Sequence, residues 1–362
     1  MANQGRLPRV LVTTAAFMFV IAGLQYAAVI LLPLVFSVFL AIMASPLVVV
    51  LRRARIPGPL AILMVVGVIF GILAGASTLV ISTLKSFAMA LPQYEAPMQQ
   101  LVADAVEQLR SMGWAPDDID VAEYFNPRSV MGMVGQTVNL VIGSLARVII
   151  VTITMSFIML EAAEIGAKLR VAFGDKATDT AVASALGQAG AQIQRYLFIK
   201  TLVSFGTGLL AFAWTSILGL DFPLLWGLLA FLLNYIPSIG SFIAAGPPVI
   251  LALLALGPGG ALAVALGYAV INILLGNVIE PRLLGQSLGM SPLVVFLSLL
   301  FWGWVWGPVG MLFSVPMTVI TKILLDNYED TRWLAVLLGR ARDVERYEAH
   351  RMGQPDPDPS IP

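Results

Sequence analysis

The sequence predicts an all-α polytopic membrane protein with about eight membrane segments, two of them interrupted as re-entrant or broken helices, and a small extracytoplasmic helical insertion. Three observations predict it. Apolar residues make up 59% of the 362-residue chain and the mean hydropathy is +0.89, beyond the range of soluble domains. The apolar residues gather into long runs, and the run from Val10 to Leu51 has no formally charged residue. Finally, two apolar segments echo each other between Pro223 and Leu325: PLLWGLLAFLLNYIPSIGSFIAAGPPVILALL from Pro223 and PLVVFLSLLFWGWVWGPVGMLFSVPMTVITKILL from Pro292. Each opens on a proline, reaches a turn at Pro237 to Gly240 or Pro308 to Gly310, and meets a further proline at Pro247 or Pro316.

Length decides how these two segments are read. A straight helix over either would measure about 50 Å, against a hydrocarbon layer of about 30 Å, so each is too long for one span and too short for two. A broken helix or a hairpin fits. Paired Gly/Pro-interrupted segments are the best sequence pointer to a transporter's binding site, because irregular backbone at membrane depth survives only beside protein or a cavity. The competing expectation is a pair of long, proline-kinked helices in a structural bundle.

Composition excludes several classes. There is no cysteine, so disulfides, thiolate metal sites and cysteine nucleophiles are absent. The single histidine, His350, lies in the polar tail, which removes histidine-based metal sites and dyads. No phosphate-binding loop, GxGxxG or HExxH occurs, so no enzyme, resident cofactor, metal or nucleic-acid partner is expected. The partners expected are the lipid bilayer and a small polar substrate, with a proton or sodium ion possible.

Taken in order, residues 1–91 are read as N-terminal transmembrane helices. Gln25-Tyr26 with Pro33 marks the break between the first two, and Arg52, Arg53 and Arg55 close the second. The third span, from Leu60 to about Thr83, carries Gly67, Gly71 and Gly75 at i, i+4 and i+8, a smooth stripe for a close helix neighbour. Residues 92–133 form the insertion. It holds an amphipathic helix marked by Met98, Leu101, Val102, Ala105, Val106 and Leu109, and its acids Asp117, Asp118 and Asp120 read as a solvated turn rather than a calcium loop. Residues 134–219 hold the fourth span (Val134 to Leu160), a cytoplasmic amphipathic linker and the fifth span (Leu197 to Gly219). Residues 220–325 are the motif-bearing core, in which Ala261 to Ile279 is a full-length span. Residues 326–362 comprise an interfacial helix over Trp333 to Leu338 and a Pro- and Asp-rich tail.

Lysine and arginine set the orientation. With the N-terminus inside, sixteen of the 21 fall on inside segments, among them Lys200. Four (Lys85, Arg110, Arg128 and Arg147) fall outside, and Arg282 is left open. Both termini are therefore expected in the cytoplasm.

Polar groups at membrane depth are the functional candidates. They are Asn272, Asn277, Glu280 and Arg282, with Pro281 between the charges, and Asn234 and Ser238 at the first break. Asn277 and Glu280, at i and i+3, are read on one helical face. Glu280 either binds a proton or cation or pairs with Arg282 as a helix anchor. The turn Pro237, Ser238, Gly240 and Ser241 offers N–H groups and hydroxyls to a small polyol or ion, and Gly307, Pro308 and Gly310 mark the second turn. Positive φ and close packing are expected at Gly240 and Gly310. Trp302, Trp304 and Trp306 cannot share one helical face, and an interfacial belt is their usual explanation.

The stretches NYIPSIGSFIAAGPP (Asn234 to Pro248), GNVIEPRLLGQSLGMSP (Gly276 to Pro292) and WGPVGMLFSVP (Trp306 to Pro316) resemble the autoinducer-2 exporter family. The resemblance covers nearly the whole chain and is specific from about Leu197. It implies a bacterial inner-membrane transporter of eight segments, a homo-oligomer and specifically a pentamer. It also implies export of the quorum-sensing signal autoinducer-2 or, in other members, sodium or proton antiport. A membrane scaffold without transport is the alternative from a different class.

Overall fold

The computed structural model describes residues 6–113, 147–162, 164, 168, 171, 181–237, 239–284, 289–326 and 331–339. Within them the chain is helical. The elements are α1 (Arg6–Tyr26), α2 (Ala28–Arg53), α3 (Gly58–Ala90) and, after one 3₁₀ turn, α4 (Glu95–Ser111). Next come α5 (147–162), α6 (Ala181–Ile217), α7 (Pro223–Leu233) and α8 (Gly240–Ile271). A π-helical stretch (Asn272–Ile279) leads into α9 (Glu280–Leu284), followed by α10 (Pro292–Asp326) and α11 (Arg332–Leu338). Among the described residues, five helices are long and apolar enough to cross a membrane. Their lipid-ready surface is plain: Val29, Leu63, Phe205 and Phe242 are all exposed.

The chain divides into two compact units. Unit 1 comprises Met1–Val66, Ile150–Ile199 and Leu283–Pro362; unit 2 comprises Gly67–Ile149 and Lys200–Arg282.

In unit 1 the break between the first two helices falls at Ala27, as Gln25-Tyr26 suggests, but Pro33 lies inside α2 rather than at the break. A proline there costs one helical hydrogen bond without ending the helix. The second interrupted segment is a hairpin. Backbone at Gly307 leaves the helix with φ 66° and ψ −150°, and Pro308 starts the returning limb. The Trp302 indole Nε1–H donates to Thr318 Oγ1 at 3.1 Å, although sixteen helical residues would set them about 24 Å apart. Lys322 Nζ donates to the carbonyl of Gly289 at the open end. Trp302 and Trp306 pack with their rings tilted by 41° and centroids 5.0 Å apart and are buried, whereas Trp304 is 65% exposed. Trp306 donates to the carbonyl of Leu24, and Phe313 stacks on Phe39 at 4.9 Å. The three tryptophans thus divide by face as their spacing requires, and the two buried ones form hairpin core, not an interfacial belt.

Unit 2 is built around the first interrupted segment. α7 ends at Leu233, four residues before Pro237, and turns at residues 234–237 and 239 lead to α8. α7 runs antiparallel to α6: Gly208 and Gly227 meet so closely that a Cβ on Gly208 would lie 2.7 Å from the Gly227 carbonyl oxygen. Trp226, Ala230, Ala244, Leu251 and Ala252 form one apolar cluster, so the first limb of α8 folds back along α7. At Gly257 the backbone turns again, with φ 75° and ψ −175°, and the chain runs on through the π stretch to α9. Asp221 ends the approach to α7, accepting a hydrogen bond from the Tyr94 hydroxyl at 2.5 Å.

Two glycine expectations change. Positive φ belongs to Gly257 and Gly307, the residues just before Pro258 and Pro308, rather than to Gly240 and Gly310. Gly240 and Gly310 are required instead by close approach, because a Cβ on either would overlap the carbonyl oxygen of Leu233 or Trp302. The stripe Gly67, Gly71 and Gly75 faces open space: no described atom lies within 4 Å of a Cβ built on any of the three. Small residues permit a close neighbour without supplying one. The amphipathic insertion helix is α4, whereas Asp117 to Asp120 and most of the fourth span, 134–146, lie outside the described residues.

Gly240→Ala and Gly310→Ala are each expected to destabilise the protein by about 1–3 kcal/mol through overpacking. Gly67→Ala is expected to leave stability unchanged. Thermal unfolding of the detergent-solubilised variants reads the difference, and equal effects at all three would remove the close-approach argument.

Candidate functional site

The break after α7 exposes backbone that helix no longer satisfies, and one side chain fastens it. Asn234 is buried; its Nδ2 donates to Ser204 Oγ on α6 at 3.0 Å, and its Oδ1 accepts from Ser241 Oγ on α8 at 3.3 Å. A single amide therefore ties the turn to both neighbouring helices. Tyr235 beside it donates to Thr201 Oγ1 at 2.8 Å. Pro237 is half-buried, and Ser238 lies outside the described residues.

These contacts read out a polar stripe on α6. Lys200, Ser204, Thr207, Ala211 and Thr215, at steps of three and four, are all buried. Opposite Thr207, the residues Ser241, Tyr268 and Asn272 line a cleft of about 10 Å³, closed by Ala211, Ala230, Ala244 and Ile271. That is room for about one water molecule. Every polar atom lining it is a neutral oxygen or amide, so the cleft suits a hydroxyl, a water or a partly dehydrated cation.

Glu280 has a different partner from the one its neighbours suggest. Its carboxylate oxygens lie 2.7 Å and 3.0 Å from Lys200 Nζ, and the two side chains are only 15% and 5% exposed. Arg282 is exposed. The Glu280–Arg282 anchor is therefore replaced by a buried pair joining α6 to α9. Two residues on, Arg282 projects from another side of the helix. Lys200 likewise is no loop cation. It belongs to the long helix α6, which begins well before Leu197, and fifteen lysines and arginines remain on the expected inside segments.

The shared face of Asn277 and Glu280 also fails. The chain from Asn272 to Ile279 is π-helical, and i→i+5 bonding widens the turn so that α-helical spacing no longer groups i with i+3. Asn277 is exposed, whereas Asn272, at the start of the stretch, lines the cleft. Pro281 is exposed. Gly307, Pro308 and Gly310 make the corner of the unit 1 hairpin, where Trp302 and Trp306 provide an apolar surrounding.

Sequence reasoning passed over Lys200, Ser204, Thr207 and Tyr268. For the first three the signal was there: polar side chains at one helical face in an otherwise apolar run. Among the described residues no group of three or more His, Asp or Glu could hold a metal ion.

Removing either charge of the buried pair leaves the other uncompensated. Lys200→Met or Glu280→Met alone is expected to cost about 3–5 kcal/mol, and the double replacement is expected to restore most of the loss. A thermal-unfolding double-mutant cycle measures the coupling; additive losses would show that the two side chains do not interact.

Comparison with known proteins points in one direction. Residues 11–330 match the profile of a family described as AI-2E family transporter. A Haemophilus influenzae chain bearing a transport-protein name is 36% identical over 351 residues, covering 95% of this chain and 100% of that one. AI-2 transport protein TqsA of Escherichia coli K12 is 34% identical, covering 91% of this chain and 95% of its own. A Borreliella burgdorferi chain, also named for transport, is 31% identical over 93% of each.

Proposed function

The chain belongs to the AI-2E family of transporters, and on that premise we propose that it is a secondary exporter of a small polar molecule of the autoinducer-2 type. It is a multi-pass membrane protein of a transporter family, not an enzyme. The observation that supports the finer reading is the polar cluster at the broken helix of unit 2. Asn234, Ser204, Ser241, Thr207 and Asn272 place hydroxyls and amides beside the break. Buried polar groups at membrane depth are expensive, and a bundle built for packing alone has no need of them. A hydroxyl-rich solute matches them by hydrogen bonding in both directions, since each serine and threonine hydroxyl both donates and accepts.

The depth of the break supports the same reading. α7 has 11 residues, about 16 Å, and it starts beside Asp221 and Tyr94, whose hydrogen bond suits a polar interface. The turn at Asn234 then falls near the middle of a layer about 30 Å thick. Transporters place substrate at that depth, at discontinuous helices. The setting proposed is a bacterial inner membrane with both termini in the cytoplasm.

A second reading, exchange of a monovalent cation for protons, draws support from Lys200 and Glu280. A buried carboxylate with a single tethered cation can change partners as a transport cycle requires.

Reconstituted protein is expected to release a labelled furanosyl signal from proteoliposomes, and Asn234→Ala to reduce the rate at least tenfold at equal reconstitution. No efflux from the unaltered protein, with sodium/proton exchange intact, would transfer the function to the second reading. For topology, the cysteine-free chain allows single cysteines at Gly257 and Arg282. They are expected to label from the outside and the cytoplasm respectively; the reverse pattern would overturn the proposed orientation.

A further inference from the structure

We infer that the loop joining α2 to α3 is a binding site for the phosphate headgroup of an anionic phospholipid, held by Arg52, Arg53 and Arg55. All three residues are exposed, and among the described residues no carboxylate lies within ion-pair distance of any of them. The neighbouring sequence offers no counter-charge either. Residues 1–94 hold six lysines and arginines and not one aspartate or glutamate. Three guanidinium groups within four positions repel one another, and an external anion relieves what the chain does not.

The backbone argues that this cluster does more than orient the protein. α2 ends in a Schellman turn: the Arg55 N–H donates to the Arg52 carbonyl at 3.0 Å and the Ile56 N–H to the Leu51 carbonyl at 3.2 Å. The residue at the left-handed position of such a turn is usually glycine, and here it is Arg55, at φ 65°. The macrodipole of α2 accounts for Arg52 and Arg53 in its last turn. It gives no reason for a third arginine where the backbone disfavours any side chain. Membrane orientation asks only for positive charge in the loop and is indifferent to its place. Arg52 folds toward the loop, its guanidinium lying against Gly58, where a Cβ would meet it at 3.4 Å.

The occupant follows from what adjoins the loop. Leu47 and Val50 near the end of α2, and Leu60, Leu63 and Met64 at the start of α3, are exposed and apolar. A free anion has no use for that surface, whereas a lipid lays its acyl chains along it while its phosphate meets the arginines. A planar guanidinium fork matches phosphate oxygens two at a time. The inference rests on the proposed orientation only for the leaflet that supplies the lipid. Binding is measured on solubilised protein, where both faces are open, so either can fail alone.

The test adds phosphatidylglycerol, phosphatidylcholine or inorganic phosphate to purified protein in a nonionic detergent and reads the thermal midpoint. Phosphatidylglycerol is expected to raise it by several degrees, and phosphatidylcholine and inorganic phosphate to leave it unchanged. Arg52→Gln, Arg53→Gln and Arg55→Gln are each expected to weaken the apparent lipid affinity about fivefold, and the triple replacement to abolish the response. Lys85→Gln, which neutralises an exposed base toward the other end of α3, is expected to keep it. Arg55→Gly separates side chain from backbone: without lipid it is expected to be at least as stable as the unaltered protein, yet to show the same loss of lipid affinity. No response from the unaltered protein, or one that survives the triple replacement, would overturn the inference. So would an equal response to phosphatidylcholine, or an equal loss in Lys85→Gln. Inorganic phosphate acting as well as the lipid would make the loop a free-anion site and overturn it too.

Discussion

A helix broken where its side chains are buried has no water to take up its freed N–H and C=O groups, and unit 2, whose Asn234 is buried at the break, is arranged around that constraint. Short backbone bonds do part of the work, from Ile236 to Leu233 and from Ile239 to Pro237. Asn234 does the rest by reaching two helices at once. Once an amide is committed there, its partners must be polar, and the polar stripe of α6 follows. That stripe then allows a lysine at the next turn, because Glu280 compensates it. The polar interior of this unit is a chain of obligations that begins at one break.

Unit 1 meets the same constraint by different means. Its hairpin corner is compressed into Gly307 and Pro308, so few backbone groups are released. The remaining space is filled by indoles whose N–H groups end on Thr318 and the Leu24 carbonyl. Aromatic side chains with a single polar handle suit this task, since they bury area while leaving one donor to satisfy. The two interrupted segments look alike as sequence patterns, yet the buried Ser298, Ser314 and Thr318 of the second donate to carbonyls of their own helix, whereas the buried Asn234 of the first reaches two neighbouring helices.

The breaks themselves were legible, because proline and glycine act through the backbone and need no knowledge of distant residues. Segment length against bilayer thickness added the hairpin. The partner of Glu280 was not legible. Lys200 is 80 positions away, and sequence proximity favoured Arg282, which a helix turns aside. The π stretch has no local marker either, so α-helical spacing misplaced Asn277. Ser204 and Thr207 were readable in principle from their spacing, but counting Lys200 with the inside-segment charges, although it falls within the span from Leu197, hid the stripe. The glycine stripe of α3 shows the reverse error: spacing alone records what a surface permits, and Gly67, Gly71 and Gly75 have no described neighbour.

The shortness of α7 has a consequence for how the protein is made. At 11 residues it reaches only about half-way through the hydrocarbon layer, so it cannot partition into the membrane as a unit of its own. Its ends would leave one terminus stranded in lipid. It can enter only together with the first limb of α8, after α6 is in place to receive Gly227 and Asn234. Biogenesis of unit 2 is thereby ordered: the nascent chain holds back one hydrophobic limb until its successor emerges, and an insertion machinery that released helices singly would not build it.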